Sequence, residues 1–298
     1  MRRRVWIALA LTVILPASVV GQRAVFRADT RLVVVHATVR NGRGELVTTL
    51  NRDAFAVYEN GRRQTITLFR RDDIPVSLGL LIDNSGSMRA VRSKVEAAAL
   101  ALARASNPQD EVFVLNFNDK ARIDVPLTSD VQVLEAGIRR VDSIGGTAMR
   151  DAIDLAQTHL VEHGMRDRKV LVVITDGIDN ASVATREHVE KQAEQRDTVM
   201  FAVGLFGDEE RNRRGRHELD QLTEKTGGLA YYPPGIDEIG PVALEIARQI
   251  RNQYTLAYAP TNQALDGSYR TIRVTATGPE RLSVRTRAGY LATADPPR

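Results

Sequence analysis

The feature that most restricts the fold is a change of hydrophobic period along the chain. Between Pro75 and Asn252, short apolar runs ("VSLGLLI", "EVFVLNF", "KVLVVIT", "TVMFAVGL" and "GLAYY") alternate with stretches of helical spacing such as "VRSKVEAAALALARA" and "AMRDAIDLAQTHLVEH". Apolar runs without polar alternation suit strands buried on both faces, and a helix between successive strands suits parallel crossovers. The pattern predicts an α/β unit, a mainly parallel central sheet with helices on both faces. One pair departs from it: "EVFVLNFNDKARIDVPL" leaves too short a link for a crossover, so an antiparallel hairpin is expected at the sheet edge.

Outside this unit the period is two. "RLVVVHATVRNGRGEL" reads as a strand and turn, and "AFAVYENGRRQTITLF" places Asn60-Gly61 between alternating segments, a hairpin signal. Near the far end "QYTLAYAP", "SYRTIRVTAT" and "RLSVRTRAGYL" read as three β-rich runs. Neither flank has enough strands for a core of its own, so residues 22–74 and 253–298 are expected to pair into one small β-sandwich that flanks or encloses the 75–252 unit.

The first residues, "MRRRVWIALALTVILPASVVGQ", have a basic start, an apolar centre and a small-residue stretch, the layout of a signal peptide over residues 1–21. A retained anchor is the alternative. The rest of a twin-arginine signal is not evident, and no second apolar stretch is long enough to span a bilayer. The formal charge of +4 invites a nucleic-acid partner. Removing residues 1–21 takes away Arg2, Arg3 and Arg4 and no acid, leaving 38 basic against 37 acidic residues. Those charges are interspersed, which argues against nucleic acid. With no cysteine, disulfides, thiolate metal sites and a lipoprotein anchor are excluded. The expected location is extracytoplasmic, periplasmic or secreted.

Ligands of open α/β sheets bind beyond the carboxyl ends of the strands. Three sequence stretches fall there: Asp83-Asn84-Ser85-Gly86-Ser87, Gly145-Gly146-Thr147 and Thr175-Asp176-Gly177. Each alone has a plain reading as a helix cap or turn. Together, Asp83, Ser85, Ser87, Thr147 and Asp176 form an oxygen donor set without histidine or sulfur, the chemistry of a hard divalent cation: Mg²⁺, with Mn²⁺ or Ca²⁺ as alternatives. Three of the five are neutral hydroxyls, so a cation held there keeps its electrophilicity and accepts a further carboxylate.

The D-x-S-x-S run, the Gly-Gly-Thr and the Thr-Asp-Gly resemble the metal-ion-dependent adhesion site of von Willebrand factor type A domains, over roughly residues 75 to 250. The fold implied is the Rossmann-like one of that family. The whole chain is similar to bacterial exported proteins described as related to von Willebrand factor type A. The resemblance implies that Ser85 and Ser87 bind the cation directly and that Thr147 binds directly or through water. Asp83 and Asp176 would act through water or hydrogen bonds. It also implies that a Glu or Asp of a partner protein completes the coordination.

Competing signals are weaker. "HLVEH", His159 to His163, matches an inverted zinc-peptidase pattern, but it lies at the far end of its helix from the strand mouths. A Mg²⁺-dependent hydrolase with Asp83 as nucleophile needs a second acid two residues on, where this chain has Ser85. No Gly-Lys-Ser/Thr phosphate loop or G-x-S-x-G elbow is present. The expectation is a binding protein and not an enzyme, with the hydrolase and a structural module bearing a vestigial site as alternatives. The charged run "GDEERNRRGRHE", Gly207 to Glu218, reads as a solvated loop or as a rim that selects the partner.

Overall fold

The computed structural model describes residues 31–71, 73–139, 143–206 and 212–293. The expected signal peptide, 1–21, lies outside them, as do residues 207–211 of the charged run. In chain order the elements are β1 (Val33–Arg40), β2 (Phe55–Glu59), β3 (Arg62–Gln64), β4 (Ile66–Arg70), β5 (Val76–Asp83), α1 (Arg92–Arg104), β6 (Glu111–Phe117) and β7 (Ala121–Thr128). There follow α2 (Val131–Ile138), α3 (Met149–His163), β8 (Arg168–Thr175), α4 (Arg186–Gln195), β9 (Thr198–Gly204), α5 (Asn212–Thr226), β10 (Ala230–Tyr231) and α6 (Ile239–Arg251). The last strands are β11 (Tyr254–Tyr258), β12 (Tyr269–Ala276), β13 (Ser283–Arg285) and β14 (Gly289–Leu291).

Six strands form one sheet in the order β10-β9-β8-β5-β6-β7. All pairs are parallel except β6–β7, the antiparallel edge expected from its short link. Every residue of β5 is buried, because its side chains alternate between two covered faces. Leu78, Leu80 and Ile82 pack with Val95 and Leu102 of α1 and Ile246 of α6. Leu81 packs on the opposite face with Ile153 and Leu160 of α3 and Leu219 and Leu222 of α5. Burying both faces is what makes the run "VSLGLLI" continuous in apolar character.

The strands outside this unit form two four-stranded antiparallel sheets, β13-β1-β11-β4 and β14-β12-β2-β3. Each sheet mixes strands from before and after the α/β unit: Val35 pairs with Leu256, and Val57 with Val274. Between them lies a core that includes Val35, Val57, Tyr254, Leu256 and Tyr258. Asn60 and Gly61 both take positive φ, 47° and 77°, the backbone a two-residue hairpin demands. Two runs expected as single strands are each divided. "GRRQTITLF" breaks at Thr65, with β3 in one sheet and β4 in the other, and "RLSVRTRAGYL" likewise supplies β13 and β14. A chain that passes from one sheet of a sandwich to the other must bend, so alternation continues while the pairing partner changes.

Candidate metal centre

Asp83 ends β5, and the parallel register that sets Ile82 beside Ile174 puts Thr175 of β8 next to it. The Asp83 carboxylate is fully buried. Its Oδ1 accepts from the Ser85 N–H at 2.8 Å and its Oδ2 from the Thr175 hydroxyl at 2.6 Å. Beyond Asp83 the chain enters a short 3-10 turn, Gly86–Ala90. This curls Ser85 Oγ to 3.1 Å from Ser87 Oγ, and Ser87 Oγ donates to Asp176 Oδ1 at 2.8 Å. The group runs from a buried carboxylate through a buried serine to the exposed Ser87.

Thr147 joins from another side. Its N–H donates to Asn180 Oδ1 at 2.8 Å, and its carbonyl accepts from the Asn180 and Ala181 amides. A Cβ on Gly177 would lie 2.8 Å from Thr147 Oγ1, so only glycine lets the threonine sit against the loop that carries Asp176. Gly145, at φ 82°, packs on Asp119, whose Oδ1 also accepts the Gly146 N–H at 2.7 Å. The β6–β7 hairpin thus braces the Gly-Gly-Thr loop.

Capping does not consume the hydroxyls. The helix after Thr147 begins at Met149, with Ala148 at its cap and no side-chain cap bond. Neither Ser85, at the cap of the 3-10 turn, nor Val91, before α1, makes one either. The Thr147 hydroxyl has no hydrogen-bond partner among the described residues. Thr147 stands just before the cap of α3 and is not itself the capping residue.

Burial pushes the Asp83 carboxyl up to about 6, against the Thr175 and Ser85 donors and with the nearby Asp176 charge adding to the rise. Burial also raises Asp176, while the Ser87 hydrogen bond opposes it. On the inner side Arg92, buried, donates to the Asn84 side chain and the Ile138 carbonyl and pairs with Glu96 at 3.0 Å. Two carboxylates and three hydroxyls converging at one sheet edge fit a hard divalent cation by donor type. Among the described residues no three His, Cys, Asp or Glu side chains form a metal cage, so the set is hydroxyl-rich.

Sequence reasoning named the five candidate donors and missed the residues that hold them: Thr175, Asn84, Arg92, Asp119 and Asn180. Thr175 stood in a quoted motif as its strand-end residue; Asp119, in a hairpin turn, had no local signal at all. His159 and His163 stack at 4.6 Å near the C-terminal end of α3, with His159 edge-on to Phe113. Glu162 is exposed there.

Residues 78–178 match the family model of the von Willebrand factor type A domain. A curated protein of Borreliella burgdorferi, itself uncharacterized, is 26% identical over 145 residues, and the match spans 41% of this chain and 41% of that relative. Among solved structures, von Willebrand factor type A from Catenulispora acidiphila is similar over 90% of this chain and 73% of its own, with 12% identity and a TM-score of 0.52. Proximal thread matrix protein 1 from the mussel byssus, in a structure with a zinc-occupied MIDAS motif, is similar over 64% of this chain and 49% of its own, with 17% identity and a TM-score of 0.53. At these identities the structural likeness is one of fold. Among the described residues no helix is long and apolar enough to cross a membrane.

Proposed function

Because residues 78–178 carry a von Willebrand factor type A domain, we propose that this chain is an exported protein that binds another protein through a divalent cation. Ser85 and Ser87 would hold the cation directly and Thr147 directly or through water. Asp83 and Asp176 would orient its water shell. Mg²⁺ suits the oxygen donors, with Mn²⁺ or Ca²⁺ as alternatives. When bound, the ion supplies a Lewis-acid position that takes a Glu or Asp carboxylate of the partner.

The observation that carries this reading is the linked run Ser85, Ser87 and Asp176, 3.1 and 2.8 Å apart, which opens to solvent at Ser87 above the buried Asp83. A cation there would be held from below and reachable from above. In this reading the chain is not an enzyme, since Ser85 stands where an aspartyl hydrolase needs its acid. Export rests on the leader-like residues 1–21, and the domain division is 22–74, 75–252 and 253–298, with the outer two acting as one β unit.

The test is a pull-down from extracytoplasmic extract with wild type and Asp83→Ala, each with Mg²⁺ and with EDTA. A partner held only by wild type with Mg²⁺ is expected. A partner that survives both EDTA and the substitution removes the metal from the mechanism, and phosphoester turnover by the purified chain replaces it with the hydrolase.

A further inference from the structure

Along the sequence the charges are interspersed; in the fold they separate. The strands of the β unit and their links, residues 31–73 and 254–293, carry 13 basic residues against 7 acidic, a net +6. Residues 74–253 carry 22 against 28, a net −6. All 13 basic residues of the β unit are arginines, whose planar, weakly hydrated fork matches phosphate. The β unit also joins the α/β unit at one end only. β4 leads into β5 at Val76, and α6 leads into β11 at Tyr254, so the basic unit adjoins the entry of β5 and the metal centre lies at its exit, Asp83.

The two sheets of the β unit differ in what their outer sides meet. The outer side of β1 meets the α/β unit: Thr38 accepts from Gln253, which takes a bond from the buried Arg168, and Arg40 pairs with Glu245 of α6 at 3.1 Å. In the other sheet, alternation sends Phe55 and Val57 of β2 and Ile272 and Val274 of β12 into the core. Tyr58, Thr271 and Arg273 therefore point outward. The register sets Tyr58 between Arg63 of β3 and Arg273 of β12. The Arg273 guanidinium lies 4.5 Å from the centre of the Tyr58 ring. Arg63 and Arg273 are exposed and pair with no carboxylate among the described residues. Glu59, the one acid in β2, β3, β12 and β14, is buried on the core side, where Tyr258 and Tyr290 donate to it. The outer face is thus cationic and aromatic. Its two arginines stand two strands apart, roughly 10 Å at the backbone, which spans neighbouring anionic groups better than it grips one. An amphipathic phenol between them is a side chain that membrane interfaces favour.

We propose that the outer face of β2, β3 and β12 docks, without metal, on an anionic phospholipid surface, to which the leader-like residues 1–21 bring the chain. The acidic α/β unit is repelled by the same surface, which turns the metal centre away from the lipid and toward a partner. The full chain is sedimented in EDTA with vesicles of phosphatidylcholine alone and with vesicles of an equal mixture of phosphatidylcholine and phosphatidylglycerol. The neutral vesicles measure whatever the apolar leader contributes. Extra binding to the anionic vesicles, weakened by salt, is the expected result. Arg63→Gln with Arg273→Gln should lower that extra binding about 30-fold, at about fivefold for each arginine near the surface. Arg63→Lys with Arg273→Lys should keep most of it, and thermal melts check that both variants fold. Lys191→Gln with Arg214→Gln removes the same net charge from exposed positions of the α/β unit and should leave the binding unchanged. Equal binding to both vesicle types, no loss with the arginine pair, or an equal loss with the Lys191 and Arg214 pair overturns the proposal. Retention on immobilised polyglutamate without preference for the anionic vesicles assigns the face to an acidic protein instead, and overturns it too.

Discussion

Two buried aspartates bracket the first strand of the α/β sheet, and they differ in what their surroundings leave undone. At the entry to β5, Asp110 accepts the Val76 N–H at 2.8 Å and the Asn107 N–H at 2.7 Å. At the exit, Asp83 accepts the Ser85 N–H and the Thr175 hydroxyl. Burial raises both carboxyls, and hydrogen-bond donors oppose the rise in both. Near Asp110, the charge of Asp73 is answered by Arg251 at 2.8 Å. Near Asp83 stand Ser85, Ser87 and Asp176, more oxygen lone pairs and a second carboxylate. The entry is a closed hydrogen-bond network that holds the strand; the exit concentrates acceptors around an opening, which is the arrangement a cation completes.

The contrast breaks most readily at the exit. Replacing both Ser85 and Ser87 by Ala should lower Mg²⁺ affinity by at least about 100-fold, beyond the loss typical of outer-shell groups. The melting temperature without metal should change little, because among the described residues these hydroxyls bond each other and the aspartates of the same site. Calorimetric titration and thermal melts read both quantities, and unchanged Mg²⁺ heats in the folded variant would erase the distinction. Asp110→Ala should do the reverse. It strands the Val76 and Asn107 amides and costs about 3 kcal/mol in urea unfolding, with Mg²⁺ affinity intact. A loss of metal binding there would mean that the two ends are not independent.

A smaller effect sharpens the same comparison through pH. At the entry side, His36 bonds Thr255 Oγ1 at 3.2 Å. Burial and then the Arg168 charge push it down to about 4, with Arg287 acting in the same sense and Asp197 opposing. The unfolded chain, with a His pKa of about 6.5, takes up the proton first as pH falls. Stability from the neutral ring is complete above about 6.5 and is lost toward about 4, some 2 kcal/mol of it between pH 7 and 5. His36→Gln should flatten the urea midpoint over that window; an equally steep decline would place the acid sensitivity elsewhere.

Much of this was legible in sequence. The apolar runs marked the strands, the short link between β6 and β7 marked the antiparallel edge, and Asn60-Gly61 marked the turn at the tip of the β2–β3 hairpin. Strand-end position marked Asp83, Ser85, Ser87 and Asp176; Thr147, in the loop between α2 and α3, was marked by its Gly-Gly-Thr turn and is brought to the others by the fold. Other features carried no local signal. Thr175 and Asp83 are 92 positions apart, and only the β5–β8 register makes the threonine the carboxylate's donor. Asp119 props Gly146 because a hairpin 27 positions away folds back on it. Within "GRRQTITLF" the alternation is unbroken while the chain changes sheets, so period alone did not show the division.

Local chemistry by itself determined where strands, helices and tight turns form and which side chains stand at the strand mouths, because these depend on neighbours a few residues away. The tertiary structure alone decided which donors those carboxylates receive and that capping leaves the hydroxyls free. These outcomes turn on pairing between segments far apart in the chain, which no local pattern specifies.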